Sequence, residues 1–594
     1  MFKSKHSLDV LAGQEIYQTN TKVNSMEVRY FPVGTSPELA FANLGLATPP
    51  AGLAQPKLAS TEINTTQLSF FGRINYSYDR KYLLTLNFRA DGSSLFGPDY
   101  SSLITPTDPT NRKWGYFPSA SVAWRLSDEN FMKKIEFISD AKLRLSYGQS
   151  GNNRIAAYGY TTGYAPPTNG GYGVNDVLNY TLTLPSRLGN PSLKWESLTS
   201  QNLGFDLGFL KNRITLTVDI YSNITKNLLI ENKIPPTSGY TTQYQNVGTT
   251  QNNGIELQLG ATIIRNKDFK WTANFNIAFN KNKITSLGSQ TSFTANSGWF
   301  SSTANPDDYL LKVGDEIGAI YGLKTDGFYT TNDFTTSNYV NAANNLRYPT
   351  LLYQYTLKPG VANAAAVLST GLASPGLIKY VDVNGDGKIT IADDRTIIGH
   401  ALPKFTGGFS QQFAYKNFDA SVFCTFSYGN DVYNANKLEF ASAYGVDQNM
   451  LAINNNRWSY IDASGNLLQK QIDASTAIGI APDQLAALNA KAQIWQPSLS
   501  TNGFIPSSYA IEDGSYLRIS NLTVGYTLPQ QLTQKAKIAT FRIYATATNL
   551  ATITGYSGYD PDVNARRGTP LTPGVDYGSY PRGRTFVFGV NVTF

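Results

Sequence analysis

The C-terminal stretch RTFVFGVNVTF, Arg584–Phe594, decides the fold class. Large apolar residues occupy every second position, and the residues between them are small or polar except for Val587. Since successive side chains of a β-strand point to opposite faces, the stretch predicts a strand with one apolar and one polar face. The apolar face would comprise Phe586, Phe588, Val590, Val592 and Phe594.

The same alternation recurs along the chain and predicts fourteen strands. They are Ser7–Gln18, Gln67–Tyr78, Lys81–Asp91, Tyr116–Leu126, Asp140–Gln149, Trp195–Phe209, Arg213–Ile224, Asn252–Ile264, Phe269–Lys281, Phe405–Tyr415, Phe418–Gly429, Gly514–Leu528, Phe541–Ala551 and Arg582–Phe594.

Strand length and connection length indicate which architecture these strands build. Several strands have ten or more residues, as membrane strands require, whereas strands of soluble proteins average about 5–6. Very short turns such as LKNRI, Leu210–Ile214, alternate with long polar segments such as Gly429–Asp513. Short turns at one end and long loops at the other are typical of outer-membrane barrels. The sequence therefore predicts an all-β fold, a transmembrane antiparallel β-barrel, over a soluble sandwich.

Composition excludes several functions. Only 15% of the residues are charged, and the net charge of +7 comes from scattered Lys and Arg, so no nucleic-acid partner is expected. Two histidines, His6 and His400, leave little material for a catalytic triad or a zinc site, and no phosphate-binding GK[ST] loop is present. We therefore expect no enzymatic activity. The sequence contains no run of 18 apolar residues, so we expect no transmembrane helix.

Four segments resemble the SusC/RagA family, the TonB-dependent outer-membrane transporters of the Bacteroidetes. They are NPSLKWESLTSQNLGFDLGFL (Asn190–Leu210), YVDVNGDGKITIADDRTIIGHALPKFTGGF (Tyr380–Phe409), SYLRISNLTVGYTLP (Ser515–Pro529) and RIYATATNLATITGYSGYDPDV (Arg542–Val563). The resemblance runs from about residue 7 to the C-terminus. It implies a nutrient importer in the outer membrane of a Gram-negative cell.

The resemblance also implies a larger assembly. Members of the family are 22-stranded barrels with a plug in the lumen. About fourteen strands here indicate that residues 1–594 are the C-terminal portion of the barrel, without signal peptide, plug or TonB box. The implied partners are a SusD-like surface lipoprotein, the TonB complex acting through the missing plug region, outer-membrane lipid, and an oligosaccharide or peptide substrate.

A calcium-type loop lies in the segment 282–404, which strand parity predicts to be extracellular. Oxygen ligands alternate along DVNGDGKITIAD, residues 382–393, with Gly387 at the sharp bend. The candidate ligands of Ca²⁺ are Asp382, Asn384, Asp386, the Lys388 carbonyl and Asp393, with Thr390 at the ninth position. A plain Asx-type turn, held by its own side-chain hydrogen bonds, is the alternative.

Two further alternatives stay open at this point. A secreted calcium-dependent β-rich adhesin or glycan-binding module would share the alternation and the calcium-type loop. The loop aromatics Trp299, Phe300, Tyr240 and Tyr244 fit either ligand stacking or packing between loops. The inward-facing Arg73, Arg89 and Arg144 fit either contact with plug or substrate, or salt bridges across the barrel interior.

Overall fold

Fourteen long strands dominate the computed structural model. It describes residues 5–51, 59–97, 113–162, 172–174, 177–179, 187–299, 306–340, 351–368, 370–442, 448–461, 464–465, 469–472, 475–478, 481–497, 504–565 and 570–594. The long strands are β1 His6–Ser25, β2 Ala59–Tyr78, β3 Tyr82–Ser93, β4 Trp114–Arg125, β5 Ile138–Asn152, β6 Glu196–Phe209, β7 Ile214–Lys226, β8 Thr249–Arg265, β9 Phe269–Ser286, β10 Phe405–Tyr415, β11 Phe418–Tyr428, β12 Tyr516–Thr527, β13 Thr540–Thr554 and β14 Thr585–Thr593.

These strands follow one another in chain order in a single sheet. The pairs from β1 to β4 are antiparallel, as are the pairs from β9 to β14. Each of the fourteen segments predicted from alternation overlaps one of these strands. The prediction of an antiparallel all-β fold is therefore confirmed for the described residues.

The apolar face of the strands is exposed. In β14, Phe588 is 80% exposed and Val590 54% exposed, and Val590 lies opposite Ile543 of β13, which is 44% exposed. Phe275 and Phe279 of β9 are exposed in the same way. A sheet of a water-soluble sandwich would bury this face in a core, whereas a membrane barrel turns it to lipid.

Aromatic side chains gather at both ends of the strands. Beside short turns, Tyr82 stacks on Tyr78 and on Trp124, each with ring centroids 6.3 Å apart. At the opposite end, Phe405 stacks on Tyr428 with centroids 4.9 Å apart. Aromatic rings are favoured at membrane–water interfaces because they combine an apolar body with a polar edge.

The short turns follow from local sequence. Asp79 and Arg80 adopt φ of 50° and 55° between β2 and β3, and the Lys81 amide donates to the Tyr78 carbonyl at 3.0 Å. Two consecutive left-handed residues match the twist of a tight hairpin. Between β8 and β9, the Asn266 side-chain oxygen accepts the amides of Asp268 and Phe269 at 3.1 and 2.7 Å.

The long connections carry structure of their own. Their helices are α1 Pro37–Ala42, α2 Ala435–Phe440 and α3 Pro482–Leu488, and α4 Gln530–Thr533 lies between β12 and β13. Short strands span Tyr172–Val174, Val177–Asn179, Arg187–Leu188, Leu229–Lys233, Thr242–Asn246, Ser292–Ala295, Tyr309–Lys312, Ala319–Leu323, Thr325–Phe328, Phe334–Val340, Leu351–Leu357, Ile378–Tyr380, Arg395–His400, Asp431–Asn434, Gln469–Ile472, Ser475–Ile478, Ile511–Asp513 and Val575–Asp576.

Among the residues that the structure describes, no helix has the length and hydropathy needed to cross a membrane.

The chain divides into two compact units. The first comprises Met1–Lys133, Lys142–Leu203 and Ser222–Thr250, and the second comprises Lys134–Ala141, Gly204–Tyr221 and Gln251–Phe594. In the first unit, Phe117 of β4 packs in a buried cluster with Phe96, Leu193 and Trp195. The second unit contains the calcium-type loop and the cavities described below.

Candidate functional site

The connections β9–β10 and β11–β12 pack into a folded region of the second unit. One buried cluster joins Tyr329, Tyr380 and Ile389 of the first connection to Trp458 and Leu485 of the second. Burial raises the pKa of Tyr329 to about 12. The prediction that Gly429–Asp513 is a long polar segment is thus incomplete, because enough apolar residues are interspersed to bury a core.

The calcium-type loop, residues 382–393, is closed by its own side chains. The two carboxylate oxygens of Asp382 accept the amides of Gly385 and Gly387, both at 2.7 Å. The Asn384 side-chain oxygen accepts the Asp386 amide at 2.9 Å, and Asp386 accepts the Lys388 amide at 2.8 Å. These contacts hold the alternate polar side chains on one tightly turned loop.

The end of the loop is anchored by a residue that the spacing did not indicate. Asp394 is fully buried, and its carboxylate accepts the Val383 amide at 2.9 Å and the Thr390 amide at 2.7 Å. Asp393, the predicted twelfth-position ligand, is exposed and accepts the Thr390 hydroxyl at 2.9 Å. The signal available in the sequence was the Asp393–Asp394 pair, of which the ligand pattern selects only the first.

The middle of the loop is fixed to the apolar cluster. Ile389 is fully buried, and its amide donates to the Asn363 carbonyl at 2.9 Å. The Asn363 amide donates in turn to the Gly387 carbonyl at 2.9 Å. Within the part of the chain that the structure describes, no three acidic, histidine or cysteine side chains are grouped so that they could hold a metal ion. Calcium binding therefore stays a prediction based on ligand spacing.

A cavity of about 520 Å³ lies at the end of the sheet that carries the long connections. Its walls come from β9–β12, from residues 401, 403, 430 and 432 next to β10 and β11, and from residues 561–564 and 573–574 of the last connection, residues 555–584. A second cavity of about 360 Å³ shares Asn276, Thr406 and Gly407 with the first and adds Asp219 and Glu256. Both volumes lie within the range of small-molecule sites.

Four charged side chains hold the last connection against β12. Arg518, only 3% exposed, pairs with Asp560 and lies 3.4 Å from Asp562. Arg582 contacts Asp560 at 3.1 Å and Asp562 at 2.7 Å. We call these residues the arginine–aspartate quartet. Its opposite charges are mutually satisfied, which offsets the cost of burying Arg518 and Asp560.

Nearby carboxylates are also hydrogen-bonded. The Tyr556 hydroxyl donates to Asp576 at 2.6 Å, and burial, reinforced by this hydrogen bond, raises the pKa of Tyr556. Burial alone would raise the pKa of Glu512, but hydrogen bonds from Ser557 and Asn434 bring it below its usual value. These polar groups are therefore held in place by one another.

Two of the loop aromatics, Trp299 and Tyr244, pack against other residues. Trp299 is 6% exposed, and its indole donates to the Tyr433 hydroxyl at 3.2 Å. The Arg187 guanidinium lies 4.9 Å from the centroid of the half-buried Tyr244 ring. Tyr240 is half-buried, and Phe300 lies outside the described residues.

Two of the inward-facing arginines, Arg89 and Arg73, contact other strands. Arg89 pairs with Asp91 at 2.7 Å and with Glu15 of β1 at 3.0 Å. Arg73 donates to Asn87 at 2.8 Å, and Arg144 of β5 lies opposite Ala123 of β4. Of the two interpretations, the formation of salt bridges is therefore the one that the contacts of Arg89 support.

The exposed apolar face, the aromatic bands at both strand ends and the polar opposite face define a membrane protein of the outer-membrane β-barrel class. Comparison with known families identifies the family within this class. Residues 12–364 match the model of the family described as TonB dependent receptor-like, beta-barrel. The chain belongs to this family of outer-membrane proteins. An exposed apolar sheet argues against the alternative of a secreted adhesin.

Two named relatives show which members of the family this chain is similar to. The chain is 32% identical over 600 residues to TonB-dependent receptor P3 of Formosa agariphila, covering 99% of this chain and 51% of the relative. It is 30% identical over 542 residues to TonB-dependent receptor SusC of Bacteroides thetaiotaomicron, covering 89% of this chain and 44% of SusC. The chain thus spans about half the length of the curated relatives it matches.

Solved structures support the same fold. The RagAB peptide importer in its closed-closed state superposes with a TM-score of 0.68 at 24% identity, covering all of this chain and 54% of that one. The RagAB peptide transporter gives a TM-score of 0.66 at 23% identity. At this identity the likeness concerns the fold alone.

Proposed function

We propose that this chain is the barrel component of a SusC-like, TonB-dependent importer of oligosaccharides or peptides. The observation that carries the proposal is the family match of residues 12–364 on a sheet whose apolar face is exposed. The relatives named SusC and RagAB suggest a SusD-like surface lipoprotein as partner. The long connections would then face outward, where that lipoprotein and the nutrient are.

We propose that the plug and the TonB-contacting segment correspond to the half of the relatives' length that this chain does not cover. In the related plugged transporters, closing a barrel of 22 strands leaves a lumen that a plug fills. In our proposal this chain contributes fourteen of those strands, and energy reaches the transported nutrient through TonB acting on the plug.

Uptake in the native host tests the function. Deleting the gene for this chain is expected to abolish uptake of one class of fluorescent oligomer, either oligosaccharide or oligopeptide, and a plasmid copy should restore it. A protonophore should stop the same uptake in wild-type cells, because TonB-dependent transport consumes the proton gradient. Unchanged uptake of both classes, with the chain verified in the outer membrane of the parent, would contradict the proposal.

We also propose that residues 382–393 bind Ca²⁺ through Asp382, Asn384, Asp386, the Lys388 carbonyl and Asp393. The proposal is supported by oxygen ligands at alternate positions and by glycine at the bend, φ 80° at Gly387. Clustered carboxylates repel one another without a cation, so bound calcium would stabilise the loop.

Two substitutions at Asp386 distinguish the hypothesis of a calcium site from that of a plain turn. Asp386→Asn keeps the oxygen that accepts the Lys388 amide but removes the charge, whereas Asp386→Ala removes both. For a calcium site, both changes should weaken binding by about tenfold or more, since affinity follows the charge of the ligands. Hydrogen exchange of residues 378–394, with millimolar calcium and with chelator, measures the effect.

The matched control is Lys388→Ala, which leaves the proposed carbonyl ligand in place and should respond to calcium like the wild type. A plain turn would give a different result. Hydrogen exchange of the loop would be the same with calcium and with chelator, and Asp386→Asn would exchange like the wild type. That result would reject the calcium proposal and leave the importer proposal intact.

A further inference from the structure

The larger cavity combines an exposed ring with polar groups on the polar face of the sheet. Phe423 lies on β11 at the same parity as Thr425 and Ser427, opposite Ser410 of β10 and Asn521 of β12. The side chain is 44% exposed, and it lines the cavity. An exposed aromatic ring among hydroxyl and amide groups is unusual on this face, because the other large apolar residues of β11 point to the opposite side.

The sheet leaves space beside this ring. A Cβ added at Gly408 would lie 2.9 Å from the Cys424 carbonyl oxygen and 3.5 Å from the Phe423 ring. A side chain at this position would therefore fill the floor of the cavity and press on β11. Gly408, which is buried, allows β10 and β11 to approach closely next to Phe423.

Polar groups that can bind a ligand surround the ring. Asn276 and Thr406 are exposed, and among the described residues no hydrogen bond of their side chains is seen. Asn430 accepts the Ser427 hydroxyl at 2.9 Å and keeps its amide donors, and Asn564 accepts the Gly574 amide at 3.2 Å. The cavity thus offers hydroxyl and amide groups along its rim.

Charge in the cavity is already neutralised. Of the described residues that line it, Asp562 alone is charged, and its carboxylate is held by Arg582 at 2.7 Å and Arg518 at 3.4 Å. A charged ligand would lose hydration here without gaining an ion pair, which is costly. A ligand with one apolar face and a rim of hydroxyl groups would satisfy both the ring and the amides.

We propose that the cavity is a subsite for a neutral saccharide ring, with Phe423 as its stacking platform and Asn276, Thr406 and Asn430 as hydrogen-bonding groups. The inference rests on the proposed importer function and names its substrate class. Longer neutral oligosaccharides would continue into the adjoining cavity past Asn276, where Asp219 and Glu256 disfavour anionic sugars.

Binding to the purified chain in detergent tests this assignment. The probes are maltohexaose, cellohexaose and xylohexaose as neutral sugars, a galacturonate hexamer as an anionic sugar, and the peptide (Ala-Lys)3 as a cation. At least one neutral sugar should bind, and the galacturonate hexamer should bind at least tenfold more weakly. Phe423→Ala should weaken binding of the neutral sugar roughly tenfold or more, since it removes the contact with the aromatic ring. Phe423→Trp should retain binding.

The matched control is Phe275→Ala, an identical substitution next to Asn276 on the opposite, apolar face and outside the cavity lining. It should leave affinity unchanged. Heat-modifiability on gels verifies that each variant is folded. Neutral-sugar binding that is equal in Phe423→Ala and wild type would overturn the subsite, and binding of (Ala-Lys)3 alone would overturn the ligand class. Neither result would affect the importer function, which the uptake assay tests separately.

Discussion

Val590→Arg is expected to prevent most of the protein from assembling in the outer membrane. Val590 is 54% exposed on the apolar face of β14 and lies opposite Ile543, also exposed. A charge on the lipid face near the middle of the membrane costs about 2–4 kcal/mol. Because folded proteins are stable by only about 5–15 kcal/mol, a loss of this size reduces the assembled population strongly. The fraction of heat-modifiable protein in outer-membrane preparations measures it.

Val587→Arg is the matched control, because it is the same substitution on the same strand at the opposite face, where Val587 lies across from Thr546. Its arginine would point away from lipid, and assembly should fall much less. The polar-face residue Asn591 should likewise tolerate conservative change. Equal losses for Val590→Arg and Val587→Arg would show that the two faces of β14 do not differ in environment.

Arg518→Met is expected to destabilise the last connection by about 3–5 kcal/mol, the usual cost of removing one partner from a buried ion pair. Arg518 and Asp560 are 3% and 6% exposed. Without the guanidinium of Arg518, Asp560 keeps Arg582 at 3.1 Å and the Asp562 amide at 2.9 Å. Hydrogen exchange of residues 556–565 should accelerate, and the temperature of conversion to the heat-modified form should fall.

A second ion pair provides the control. Arg542 and Asp419 join β13 to β11, with side chains 26% and 38% exposed, so Arg542→Met should cost about 1 kcal/mol or less. Adding Asp560→Asn to Arg518→Met should restore part of the stability, because it removes the charge of the buried carboxylate that has lost Arg518. If Arg518→Met behaves like Arg542→Met and the double variant shows no recovery, the quartet does not anchor the last connection.

Strand positions could be read from the sequence because membrane strands require alternation over their whole membrane-spanning length. The prediction failed where that requirement ends. β1 continues to Ser25 rather than Gln18, and β2 begins at Ala59 rather than Gln67. In these extensions, pairs such as Thr19–Thr65 and Asn20–Asn64 are polar on both faces. Backbone hydrogen bonds continue there without any need for an apolar face, so no pattern indicates the strand.

The candidate sites depended more on tertiary structure. Ligand spacing selected Asp382, Asn384, Asp386 and Asp393, since these lie within one loop, but it missed Asp394, whose role depends on burial. The saccharide subsite and the quartet could not be found by spacing, because Asn276, Phe423 and Arg518 come from different strands.

By itself, the sequence determined the period-2 faces of the fourteen strands, the tight turns and the ligand spacing of the calcium-type loop. All three depend on residues a few positions apart, whose side-chain directions the backbone geometry sets. Tertiary structure alone decided that Arg518 meets Asp560, that Trp299 is buried against Tyr433, and that Phe423 lines a cavity. These contacts join residues far apart in the chain, and they form only when strand register and the folding of the long connections bring the side chains together.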